Sequence, residues 1–202
     1  MSNLSKLRTR NDIVSSEAEH LILVNIDDQE LGSNTKEACH SGEGILHRAF
    51  SVFIFNANGE LLLQQRSDEK RLWPLYWSNS CCSHPRVGET MSDATLRRMG
   101  EELGITSNNL QYLYKFHYQA TFGPQGSEHE LCSVFIGSTS DEVVVNVNEV
   151  SDWRFVSAPD LNEELKSSPD SFTPWFKMEW QQLLQKHTKE LALLGVDVHH
   201  TL

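Results

Sequence analysis

The strongest apolar run in the chain is Ala49 to Phe55, followed by Asn58-Gly59 and then a second run from Glu60 to Arg66. Asn-Gly between two such runs is a strong short-range hairpin signal, so two strands are predicted at the centre of a sheet. A shorter strand is predicted from His20 to Ile26, closed by Asp27-Asp28. Met91, Thr95, Met99 and Leu103 recur every four residues, after Thr90 and Asp93 and before Gly104. That spacing predicts an amphipathic helix over 91–103, with a capping pair at its start and a glycine stop. Tyr112, Tyr114, Phe116 and Tyr118 alternate as strand residues do, and Glu130 to Ile136 is predicted as a further strand, reached through the Gly123-Pro124-Gln125-Gly126 turn. A late strand is predicted around Trp153 to Phe155, a short helix over Asp160–Lys166, and a longer one opening at Thr173-Pro174 and running toward Leu194. The class is therefore α+β, with a mixed or largely antiparallel sheet. Residues 1–18 are predicted to be a disordered N-terminal segment and 19–202 a single domain, since no linker or repeat divides the chain.

Composition narrows the function. Seventeen basic against 28 acidic residues leave a net charge of −11, which repels polyanions and argues against a nucleic-acid partner. No apolar run reaches bilayer-spanning length, and residues 1–12 lack the apolar stretch of a signal peptide, so no membrane partner and a cytoplasmic location are expected. Four cysteines, two of them adjacent, suit free thiols in a reducing compartment better than a disulfide scaffold.

The residues that could carry chemistry concentrate between 40 and 130. His40 and His47 lie on the approach to the first core strand, and His84 follows Cys81-Cys82-Ser83. Glu128 and Glu130, two apart in a strand, project to one side. Buried carboxylates need compensating charge, and three imidazoles with two carboxylates would suit a divalent cation. A lone histidine is more often a surface or hydrogen-bonded core group; the metal reading rests on several occurring together. Cys82, beside a histidine and with Ser80 and Ser83 around it, is the better candidate for a thiol with chemistry, whereas Cys39, Cys81 and Cys132 read as small buried apolar groups. Arg97 with Glu101 and Arg98 with Glu102 are i,i+4 pairs that could be no more than solvated salt bridges. No glycine-rich phosphate loop is present, so a phosphorylated ligand would need cations and metal.

These residues, together with His47-Arg48-Ala49-Phe50-Ser51, Asn79 to Pro85 and Thr173-Pro174-Trp175, make the chain resemble a type I isopentenyl-diphosphate Δ-isomerase of the Nudix superfamily. The resemblance implies a Nudix-like fold, a central sheet flanked by helices, with N- and C-terminal extensions. The Nudix motif falls on Ser83, Glu89, Arg97, Arg98, Met99, Glu101, Glu102, Gly104 and Ile105. Ser83 stands where the motif has its first glycine, and Arg98 where hydrolases carry a metal-binding glutamate, which favours isomerisation over hydrolysis.

By that resemblance, His40, His47, His84, Glu128 and Glu130 hold one divalent metal (Mn2+, Zn2+ or Mg2+). Glu102 helps hold a Mg2+ that arrives with the substrate. Lys36, Arg66, Lys70 and Ser83 contact the diphosphate of a small allylic or homoallylic substrate. Cys82 and Glu130 are the acid–base pair on opposite faces of that substrate, assisted by Tyr118. Trp175 shields a carbocation, to which cation–π attraction contributes roughly 2 kcal/mol or more once desolvated. Two rivals are a Nudix hydrolase of nucleoside or other diphosphates and a non-catalytic metal-binding module. Arg98 argues against the first, and the joint presence of Cys82, Tyr118, Glu130 and the metal ligands against the second.

Overall fold

A computed structural model describes residues 10–107 and 109–198. The 49–55 run becomes β3 (His47–Phe55), which is buried on both faces. This explains why it reads as continuous apolar sequence and not as an alternation. Ala49, Phe53 and Phe55 pack into one core with Trp175, Phe176 and Trp180. Phe50, Val52 and Ile54 pack into a second core, with Ala94, Met99 and Leu103, on the other face. The sheet is thus sandwiched between α2 (Met91–Leu103) and α4 (Pro174–Lys186).

Strand β3 runs parallel to β8 (Ser127–Ser138) along its whole length, from His47↔Glu130 to Phe55↔Ser138. β8 pairs antiparallel with β7 (Gln111–Thr121). β1 (His20–Val24) lies antiparallel between β2 (Glu30–Thr35) and β3. β4 (Leu61–Arg66) pairs antiparallel with β9 (Val150–Val156) and with β5 (Trp77–Ser78). The sheet is mixed and largely antiparallel, as expected.

The expected central hairpin differs in one respect that matters for the site. β3 and β4 pair only at Phe55↔Leu61, next to the turn, and then diverge. The segment from Ser78 to β6 (Cys81–Ser83) is wedged into the gap. The Ser80 hydroxyl accepts from Ile54 N at 2.8 Å and donates to Leu62 O at 2.7 Å, replacing a missing rung between the two strands. Asn79 Nδ2 donates to Val52 O at 3.3 Å and to Cys81 O at 2.8 Å. Asn79 and Ser80 are fully buried, so Ser80, read as part of the surroundings of a reactive thiol, is instead, like Asn79, a backbone partner that holds β6 in register.

Helix α2 begins and ends as its sequence predicts. Thr90 accepts from Asp93 N at 3.1 Å, and Gly104 closes the helix with φ 65°. A Cβ at Gly104 would come within 2.9 Å of Val144 O, so the stop is enforced by packing as well as by dihedral preference. After β9 come α3 (Ala158–Ser167), α4 and α5 (Thr188–Leu193). The single long helix expected after Thr173 is broken at His187, whose ring stacks on Tyr114 with centroids 5.1 Å apart. Strand β2 and the four-residue α1 (Lys36–Cys39) were not expected from the pattern, while β1 ends at Val24, short of Ile26. Of the expected disordered segment, residues 1–9 lie outside the described residues. Arg10 pairs with Val145 and Val147, and residues 11 and 12 accept from Asn146 and Asn148. None of the described helices is long and apolar enough to cross a membrane.

Candidate active site

Four elements bring the imidazoles and carboxylates together. His40 caps α1, His47 is the first residue of β3 and not part of the loop before it, and His84 follows β6. Glu128 and Glu130 come from β8, whose parallel pairing sets Glu130 against His47. Gly126 allows the close approach: Ser127 N donates to His40 O at 3.0 Å, and a Cβ at Gly126 would sit 2.0 Å from that oxygen. His47 Nε2 lies 3.2 Å from His40 Nε2 and 3.1 Å from His84 Nε2. Glu128 Oε2 is 3.0 Å from His40 Nε2, and Glu130 Oε1 is 3.0 Å from His84 Nε2. All five donor atoms lie within 4.8 Å of one another.

The donor set fits a divalent metal. His47 Nδ1 donates to Ile45 O at 2.7 Å, which fixes the ring and turns Nε2 toward the cluster. Glu128 Oε2 is buried and has no hydrogen-bond partner among the described residues, although it lies 3.0 Å from His40 Nε2. Burial, reinforced by the charges of His47 and His40, drives His84 well below the ordinary histidine range, so its ring is neutral, as a metal ligand has to be. Burial alone would raise Glu130, yet hydrogen bonds and charge from His47, with the Tyr118 hydroxyl, hold it below the usual carboxylate range. Glu130 thereby divides its oxygens: Oε1 faces the imidazoles, and Oε2 accepts from Tyr118 OH at 2.7 Å.

A cavity of about 430 Å³ opens beside this cluster, lined by Cys82, Glu130, Tyr118 and Trp175 at one end and by Lys36 and Lys70 at the other. The two adjacent cysteines separate by face. Cys81 opposes Val52 and joins the core beneath α2, whereas Cys82 opposes Ser51 and turns toward the cavity. Burial, against the pull of Arg66, pushes the Cys82 thiol up to about 12, so it carries its proton at neutral pH. Arg66 NH1 lies 3.9 Å from Cys82 Sγ, and its guanidinium sits 5.3 Å from the Trp175 ring centroid. The same guanidinium donates to Leu72 O at 2.9 Å and Trp73 O at 3.1 Å. Trp175 is both a core residue and a cavity wall, with Trp73 edge-on at 5.2 Å.

At the polar end Arg98 lines the cavity and its partner Glu102 does not; both are 3% exposed, so this pair is not a solvated surface bridge. Arg98 NH2 lies 2.5 Å from Glu102 Oε1 and 3.0 Å from Glu149 Oε2, and Glu149 also pairs with Lys70. Lys36, lowered by burial and by the charge of Lys70, donates to Ser15 Oγ at 2.8 Å. Ser83 lies on the same wall. Glu149 was not anticipated. Its only sequence signal is that three cations converging on one cavity need a carboxylate beyond Glu102.

A second unanticipated carboxyl is Glu179 on α4. It is 1% exposed, its Oε2 has no hydrogen-bond partner among the described residues, and Oε1 is 3.6 Å from Cys132 Sγ. Burial pushes it up to about 8, even against hydrogen bonds from Ser51 and Cys132. The folded protein thus holds this proton more tightly than the unfolded chain does. The contribution of this one group to stability is greatest below about pH 4.5, falls as pH rises toward 8, and is level above. Glu179→Gln is therefore expected to be nearly neutral at pH 4.5 and stabilising by a few kcal/mol at pH 8. Urea unfolding at the two pH values tests this, and an equal difference at both would contradict it.

Comparison with known proteins agrees with this arrangement. Residues 45–176 match the NUDIX domain family. The chain is 44% identical over 175 residues to isopentenyl-diphosphate Delta-isomerase 1 of Photorhabdus laumondii, covering 86% of this chain and 99% of that one. It is 38% identical over 168 residues to the isopentenyl-diphosphate Delta-isomerase of Saccharopolyspora erythraea, covering 83% and 87%. Among solved structures, the DR0079 protein of Deinococcus radiodurans superposes with a TM-score of 0.60 at 23% identity, over 74% of this chain and 90% of that one. A MutT protein from Methanosarcina mazei superposes with a TM-score of 0.58 at 19% identity, over 73% and 99%. These two likenesses concern the fold.

Proposed function

Because the chain belongs to the isopentenyl-diphosphate Delta-isomerase family of NUDIX-domain proteins, we propose a division of labour among its residues for interconverting isopentenyl and dimethylallyl diphosphate. The reaction adds a proton at the terminal alkene carbon and removes one from the carbon bearing the diphosphate-linked methylene side of the allylic unit. Two acid–base groups are required, and each is acid in one direction and base in the other. Cys82 serves one face and Glu130 the other. The observation that supports this most is a single cavity lined by a protonated thiol, a carboxylate tied to a tyrosine hydroxyl, and an indole face. Tyr118 stays protonated, because burial and the Glu130 charge raise it well above the ordinary phenol range. The Glu130 side can therefore give a proton as well as take one, relayed between hydroxyl and carboxylate.

Protonation of an unactivated alkene generates a tertiary cation that water would capture. Trp175, backed edge-on by Trp73, walls the apolar end and offers a π-face but no nucleophile. Lys36, Lys70, Arg66 and Ser83 take the diphosphate, and Glu149 holds Lys70 and Arg98 in place until it arrives. His40, His47, His84, Glu128 and Glu130 would hold a divalent ion, which would supply positive charge beside the Glu130 carboxylate; Mn2+, Zn2+ and Mg2+ all suit the mixed donors. A magnesium ion accompanying the diphosphate would be held by Glu102, whose Oε1 accepts from the Arg98 guanidinium. Free thiols at all four cysteines suit a reducing cytoplasm. Incubation with isopentenyl diphosphate should yield dimethylallyl diphosphate with no phosphate released. Release of phosphate or a monophosphate would identify a hydrolase instead.

A further inference from the structure

The outer face of the β7–β8 pair carries two imidazoles that the isomerase chemistry does not use. In the register of these strands Gln119 opposes His129 and His117 opposes Leu131, so His117 and His129 are diagonal neighbours on one face. Tyr118, Glu128 and Glu130 alternate to the other face, toward the cavity. The two Nε2 atoms are 2.9 Å apart, with ring centroids at 5.1 Å and planes at 58°. His129 Nδ1 lies 3.3 Å from Gly44 O, to which it donates, so its Nε2 presents a lone pair. The buried cluster shows nearly the same spacing, with Nε2 atoms 3.1 and 3.2 Å apart.

We propose that His117 and His129 form a second metal site, a two-imidazole chelate on the sheet surface for a transition-metal ion of the Ni(II) or Cu(II) class. With metal–nitrogen bonds of about 2.05 Å, a 2.9 Å separation subtends an angle of about 90°, whereas a tetrahedral ion would need about 3.3 Å. Right angles between imidazoles are the geometry of tetragonal Cu(II) and Ni(II). His117 is exposed and His129 half-buried, so the remaining coordination positions are open to water or to a small exogenous ligand. Both strands contribute one ligand, and a bound ion would therefore clamp β7 to β8 across the register that also pairs Tyr118 with Glu130.

The test is calorimetric titration of Ni(II) into the holoenzyme, its buried site already loaded. The wild type should take up one further equivalent, and its thermal midpoint should rise with added Ni(II). His117→Ala should lose both effects while keeping the metal content of the buried site and full isomerase turnover. His199→Ala/His200→Ala should retain both effects, which separates this site from the C-terminal histidines. No further equivalent in the wild type would reduce the pair to an imidazole–imidazole hydrogen bond and overturn the proposal. So would uptake that persists in His117→Ala, or that vanishes with His199 and His200.

Discussion

Cys82→Ala and Glu130→Gln are each expected to lower turnover by roughly a thousandfold or more while leaving the fold intact, because each proposed proton-transfer group has no substitute on its face of the substrate. Cys81→Ala is the matched control. It removes a thiol one residue away that faces the core under α2, so it should cost stability through a small cavity but retain most activity. The two outcomes separate chemistry from packing within one dipeptide. Steady-state turnover together with the unfolding midpoint of all three variants would settle the assignment. Comparable losses at Cys81 and Cys82 would show that β6 is merely being displaced. Full activity without Cys82 would remove it from the mechanism.

His84→Ala is expected to strip the tightly bound metal and with it nearly all activity, and a chelator should do the same to the unaltered protein. The site needs several ligands at once: five donor atoms converge within 4.8 Å, and two of them belong to buried carboxylates. Losing one imidazole leaves the others less able to compensate the buried charge. Elemental analysis after gel filtration reads the occupancy directly. Glu102→Gln should instead leave that occupancy unchanged and raise the magnesium concentration needed for turnover. Retention of a full equivalent in His84→Ala would break the ligand assignment.

The parts of this molecule that could be read from its sequence are those governed by one local rule. β3 was legible because a strand buried on both faces must be apolar throughout, and α2 because its four-residue spacing lies between a capping threonine and a left-handed glycine. β2 was not legible, since four of its six residues are exposed and it has no apolar alternation. β5 and β6 are too short to carry a period, and what holds them is Ser80 bridging two diverging strands, a long-range condition invisible in any window of residues. The histidine and carboxylate set was visible as residue types, and its spatial convergence followed from the family resemblance. The Lys70–Glu149–Arg98–Glu102 network was not, because Lys70 and Glu149 come from stretches of chain distant from the Arg98–Glu102 pair and only burial makes them its partners. The break at His187 likewise depends on its stacking against Tyr114, which no helical periodicity encodes.

The central claim is that this cavity exchanges protons with carbon and leaves the diphosphate untouched. Incubating the holoenzyme and magnesium with isopentenyl diphosphate in heavy water, and analysing the product by mass spectrometry and NMR, tests it most directly. The account predicts dimethylallyl diphosphate with solvent deuterium on the carbon that was protonated, no phosphate released, and neither product nor label from Cys82→Ala or Glu130→Gln within the same time. Unlabelled product formed at full rate, or liberated phosphate, would contradict it.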